Sequence, residues 1–176
     1  MSFSFAACGD KNDSIRIDGE RHELPSLQEY DIVSVISDSG ITRYRITSAE
    51  LLMYDKAPEP YSFFPRGLYV ERFDANYNID ASLVADKAKY FEQKDLWQLN
   101  GNVRIVNLQG EIFETEELFL DQKNDSVYTE QFIKITQPKR MITGYGLESN
   151  SSMTRYDIIK PRGEIQMEEE TVETVE

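Results

Sequence analysis

The chain has 176 residues, 40% hydrophobic and 29% charged, with a formal net charge of −13. That length suits one domain with a sizeable core, and the acidity argues against a nucleic-acid or anionic-membrane surface, which needs a basic face. A single cysteine excludes an internal disulfide, and no run is long and apolar enough to span a bilayer.

In chain order, residues 1–8 read M-S-F-S-F-A-A-C. Small residues directly before a cysteine resemble a lipobox, where a signal peptide is cut and the cysteine is acylated. This makes Cys8 a candidate lipidation site in a residual signal segment; the alternative is an ordinary thiol in a leader. A missing basic start and a short apolar stretch depart from the pattern. Residues 9–30 read as a polar tether and lead-in. His22 lies near Glu20 and Glu23, but no second His or nearby Cys completes a metal shell, so no metal site is expected. Leu24 to Ser37 carries Ile32, Val33, Val35 and Ile36 and reads as a strand on its β-branched content.

Ser37 to Gly40 is a turn, and Ile41 to Ile46 alternates like a strand. Lys56 to Gly67 reads as a loop, because Pro58, Pro60 and Pro65 oppose ladder pairing. Its Tyr61, Phe63 and Phe64 form either a recognition surface or a cap on the core. From Gly67 the pattern is a meander, with strands expected near 67–74, 79–92, 96–106, 111–121, 126–136, 141–149 and 154–160. Short polar links favour antiparallel neighbours. The main β domain is expected over 31–163, ending at Lys160-Pro161-Arg162-Gly163, with an acidic disordered tail over 164–176.

Within the meander one pattern occurs twice, thirty residues apart. Ala85-Asp86-Lys87-Ala88 leads to Trp97 through Ile105, and Thr115-Glu116-Glu117-Leu118 leads to Val127 through Ile135. Ser48 to Met53 and Gly144 to Ser149 are weaker copies. Asn100-Gly101 is a strong hairpin signal, but the matching Glu130-Gln131 does not suit the positive φ angles of such a turn. The strand is therefore expected to run through Gly101, which marks a bend. Leu99, Val103 and Ile105 then share a face with Val127, Ile133 and Ile135, while Asn102 and Arg104 point away. One apolar face per strand requires two sheets, or one sheet folded on itself.

No catalytic constellation is present. A nucleophile system would need His22 or Cys8 from the leader, and the many carboxylate pairs single out no acid or nucleophile. Gly144-Tyr145-Gly146 is not followed by a helix pattern and so is no phosphate loop. No cofactor motif is found.

The ordered series Ala85-Asp86-x-Ala88-x-Tyr90, Leu99-x-Gly101-Asn102-Val103-x-Ile105, Phe113-x-Thr115-x-x-Leu118 and Thr143-Gly144-x-Gly146-Leu147 resembles the OstA-like β-jellyroll family, and within it the LptC proteins. The resemblance spans about Ile41 to Gly163. It implies an all-β, elongated, twisted and partly open antiparallel β-jellyroll built from repeated strand pairs. It implies a non-enzymatic carrier that receives lipopolysaccharide from inner-membrane ABC transporter permeases and passes it to a periplasmic LptA-like bridge protein by edge-strand addition. The protein would be periplasmic and anchored to the inner membrane, at Cys8 or through a missing segment. Leu99, Val103, Ile105, Val127, Ile133, Ile135, Tyr156 and Ile158 would line the groove for acyl chains, and Gly144, Gly146 and Leu147 would lie at a partner edge. The competing readings are a soluble bridge protein of the same fold and a glycan-binding β-sandwich lipoprotein.

Overall fold

The computed structural model describes residues 24–166. Cys8, His22 and the tail beyond Gln166 lie outside the described residues. Eleven strands form one antiparallel sheet: β1 (Leu27–Asp38), β2 (Ile41–Tyr54), β3 (Tyr61–Phe64), β4 (Leu68–Phe73), β5 (Ile79–Ala85), β6 (Lys87–Phe91), β7 (Leu96–Val106), β8 (Ile112–Asp121), β9 (Ser126–Thr136), β10 (Arg140–Asn150) and β11 (Tyr156–Gln166).

The pairing shows how one sheet makes two layers. The first half of β2 pairs with β4, at Thr47↔Tyr69, and its second half with β3, at Leu52↔Phe63. In β7 the first half pairs with β6, at Leu99↔Ala88, and the second with β5, at Leu83↔Ile105. Thus β3 with β4, and β5 with β6, each behave as one bent strand, broken at Pro65–Gly67 and at Asp86. The chain is a plain meander of bent strands, folded along a single line into two facing leaves. The even apolar parity of each strand puts one face of every leaf inside.

The fold line is written in the sequence. Asp86, Gly101, Glu116, Gln131 and Gly146 follow at intervals of fifteen residues. Each lies where the ladder breaks: between β5 and β6, between Asn100 and Val103, between Thr115 and Phe119, in the matching gap of β9, and between Tyr145 and Leu147. Gly101, Asn102 and Gly146 take positive φ there. Bulges of this kind bend a strand and re-aim its side chains. The small first residues of the four sequence copies, Ser48, Ala85, Thr115 and Gly144, are buried beside this line, where the leaves converge. The through-strand at Gly101 is as expected, and the bend is real.

Three expectations change. Residues 79–92 are two strand segments, because the fold line cuts them at Asp86. The proline-rich loop contains β3, whose Tyr61 to Phe64 lie between the prolines and are free to pair with β2 and β6. Phe64 enters the core, while Tyr61 and Phe63 lie half-buried on the other face under Lys89. Finally, β11 does not stop at Lys160. It continues to Gln166 past a bulge at Pro161, which an edge strand tolerates because one side of its backbone needs no partner.

Close approach at the fold line sets a testable cost. A Cβ at Gly144 would stand 2.8 Å from the Lys160 carbonyl and would strike Ile158, whereas one at Gly110 meets nothing within 4 Å. Gly144→Ala is expected to lower stability by about 2 kcal/mol through overpacking. Gly110→Ala should cost about 1 kcal/mol, from its left-handed backbone alone. Urea midpoints of the two variants check the order.

Candidate functional site

The inner faces of the leaves form one apolar interior. Leu99, Leu118, Val127 and Leu147 come from one leaf, and Val103, Ile105, Phe113, Ile133 and Ile135 from the other. All lie in a single cluster, with Trp97, Leu120, Tyr156 and Ile158 packed against it. The eight residues expected to line a groove therefore do come together. They are not equally placed. Val127, Ile133 and Ile135 are fully buried, Val103 and Leu99 nearly so, and Tyr156 and Ile158 are only partly covered.

The interior differs along its length. Between β1–β7 and the facing residues lies a cleft of about 550 Å³, with Ile46, Val70, Leu83 and Ile105 on one wall and Trp97, Leu99, Leu120 and Val127 on the other. It reaches the surface beside Ile36 and Tyr44, both exposed. Trp97 on the second wall sits in an aromatic stack: Tyr90, also in the cleft, lies on it at 4.6 Å, and the core residue Phe64 lies at 5.8 Å. Burial first, then the hydrogen bond to Asp95, pushes the Tyr90 hydroxyl up to about 12, so it stays neutral and donates to Asp95 Oδ1 at 2.8 Å.

Around β8–β10 the interior is filled by its own side chains, and polar groups bridge the open ends of the leaves. Asn107 Nδ2, in the β7–β8 turn, donates to the Met153 carbonyl of the β10–β11 turn at 2.8 Å. Gln137 Nε2 donates to Tyr156 Oη at 2.8 Å and also to Glu111. Tyr156 Oη lies 3.3 Å from Glu111 Oε1, and burial, with the Glu111 charge second, raises its pKa. The neutral phenol is thus the donor to the carboxylate.

At the opposite end, two ion pairs hold β2, β4 and β5. Arg72 makes two hydrogen bonds to Asp80, at 2.8 and 2.7 Å, and Arg45 reaches Glu71 at 2.5 Å. These bonds hold both carboxyls below the ordinary carboxylate range. Arg72, at the cleft wall, has its charge already answered by Asp80.

Gly144, Gly146 and Leu147 are not at an edge. β11 pairs along β10, covering all three, and Leu147 is fully buried. The small size of the two glycines serves the approach of β11, since a Cβ at Gly146 would press on Ile159. The free edges among the described residues are β1 and β11. β1 exposes Tyr30, Val33 and Val35, and β11 exposes Ile159 and Ile165. The residues that sequence reasoning missed are the cleft wall of β2, β4 and β5, and Met153. Ile46 and Val70 do alternate with polar neighbours, whereas Leu83 is followed by Val84, and all three lie outside the clear repeat. Met153 follows a polar turn and shows no period at all.

A bent meander sheet closed over a continuous apolar interior, with one edge strand free at each end, defines an OstA-like β-jellyroll. The LptC model, described as lipopolysaccharide-assembly, LptC-related, matches residues 21–161, and the chain belongs to that family. Its members are bridge components of lipopolysaccharide transport, periplasmic and associated with the inner membrane, and are not enzymes by that role. No individually curated protein matches the chain. Among the described residues, no helix is long and apolar enough to cross a membrane, and no cluster of metal ligands occurs.

The ion pairs predict an acid limb. A carboxyl with a folded pKa below its unfolded value adds stability above about pH 4, and loses it as pH falls through the lower folded value. Unfolding midpoints should therefore drop below about pH 4. Glu71→Gln should be weaker at neutral pH yet show a shallower drop on acidification.

Proposed function

We propose that this protein receives lipopolysaccharide from the inner-membrane ABC transporter permeases and passes it to a periplasmic bridge protein of the LptA kind. Acyl chains would lie between the two leaves. The observation that carries this reading is the cleft, whose apolar walls run without interruption into the core. Burying apolar chain surface there is favourable at roughly 25 cal/mol per Å². The lipid's anionic head groups would stay in solvent, because the chain is strongly acidic and Arg72 is paired to Asp80. In this reading Leu99, Ile105 and Val127 meet the lipid first, as cleft residues, and Val103, Ile133, Ile135, Tyr156 and Ile158 belong to the deeper path.

The free edges support assembly by strand addition. An unpaired edge is an aggregation hazard unless something pairs with it, and partner strands can extend such a sheet with main-chain hydrogen bonds. With β1 at one end and β11 at the other, two different partners can be served at once. Acylation of Cys8 would hold the first edge near the membrane. The soluble-bridge alternative differs only in lacking that anchor.

Photocrosslinking tests the carrier reading. A photoreactive amino acid at Leu83, on the cleft wall, is expected to form a lipopolysaccharide adduct in cells that make this lipid. The same group at the neighbouring exposed Val84 should not. A folded protein with adducts at neither position would overturn the proposal and favour a closed sandwich.

A further inference from the structure

We propose that the cleft is an acyl site of limited size, and that a polar latch across the mouth of the fold holds the rest of the interior shut. The latch consists of Asn107, Glu111 and Gln137 from one leaf, and Met153 and Tyr156 from the other. This rests on the carrier reading above and goes beyond it, by dividing the path into an open half and a sealed half.

The size argument comes first. A cavity of about 150 Å³ lined by aliphatic and aromatic side chains holds a benzene, which has six carbons. A cleft of about 550 Å³ therefore holds on the order of twenty carbons. That is one long acyl chain, not the several of a lipid A. The cleft also has a definite end. Asn107 and Met153 both line it, so the latch begins where the cleft ends.

The chemistry of the latch comes second. Beyond it, Phe113, Leu118, Ile133, Ile135 and Leu147 pack at 0–1% exposure, leaving no room for a chain unless the leaves part. Parting them breaks specific bonds. Asn107 Nδ2 must leave the Met153 carbonyl, and Tyr156 and Gln137 must leave Glu111. Glu111, Gln137 and Tyr156 are partly exposed at the mouth of the fold and are rehydrated when the leaves part, whereas the Asn107–Met153 bond is buried. Opening therefore puts one buried hydrogen bond at risk of being left unpaired, not a whole buried network. The hinge is the fold line on the opposite side, where ladder bonds are already interrupted.

Quenching by a brominated acyl chain tests this. The probe is a single-chain lysophosphatidylcholine brominated in mid-chain, and the reporter of the open half is Trp97, the only tryptophan. For the sealed half, Phe113→Trp is introduced in a Trp97→Phe background. With the latch intact, Trp97 should lose most of its emission and the Phe113→Trp reporter almost none. Adding Asn107→Ala, Gln137→Ala and Tyr156→Phe, which removes every bond of the latch, should make the second reporter quench several-fold more. Quenching of both reporters with the latch intact overturns the latch and leaves the carrier reading standing. So does a second reporter that stays bright after the latch is removed. No quenching at either reporter overturns the acyl site together with the carrier reading. Amide exchange of β9 in the unsubstituted protein gives a readout that needs no reporter. The probe should leave β9 protected, and only the Asn107→Ala, Gln137→Ala, Tyr156→Phe protein should show faster exchange with it.

Discussion

Two leaves of one sheet can face each other only if every strand leaves its ladder at the same height. A single strand that ran straight through would hold its neighbours flat. Here the line passes through Asp86, Gly101, Glu116, Gln131 and Gly146, and it is marked by bulges and left-handed residues where Cβ atoms would collide. Asp86 shows how the line is held: its backbone N–H donates to the Gly101 carbonyl at 2.9 Å and its carboxylate accepts from Asn102 at 2.7 Å. Everything that follows, the facing apolar surfaces, the open mouth and the free ends, depends on that shared bend.

Bending alone does not decide how far the leaves close. The β8–β10 half has large side chains that meet, such as Phe113 against Tyr156 at 5.1 Å, edge to face. The earlier half has smaller or more distant ones, Ala81, Ser82 and Val70 among them, and the space between is left as the cleft. Charges follow the same division. The ion pairs of Arg45 and Arg72 tie neighbouring strands within one leaf and do not cross the mouth, so they stiffen the open half without shutting it.

Much of this was legible in the sequence, and the reason is periodicity. The thirty-residue repeat is one strand up and one strand down, so matched residues such as Val103 and Ile133 had to share a face, and both are buried. The repeat also identified the bend at Gly101, because Glu130-Gln131 could not form the competing turn. What failed was pairing between elements. The family resemblance put Gly144 and Gly146 at a partner edge, yet β11 lies against both and their small size serves that approach. Pro161 looked like a terminator, but a strand with only one neighbour can include it. The cleft was invisible for another reason. A void is set by the separation of two leaves, and no single strand's pattern records it.

The bent meander has a kinetic consequence. Once β3–β4 and β5–β6 are counted as single bent strands, every ladder among the described residues joins chain neighbours, and bonds between turns, such as Asn107 to Met153, add the longer links. Loop closure for each added strand is short, which speeds folding for an all-β chain. Structure can start at any hairpin and spread to either side, as in stacked-repeat proteins. The terminal strands, each held by one neighbour, are then the last to form and the first to fray. A partner that adds a strand to β1 or β11 would repeat the same elementary step by which the chain itself folded.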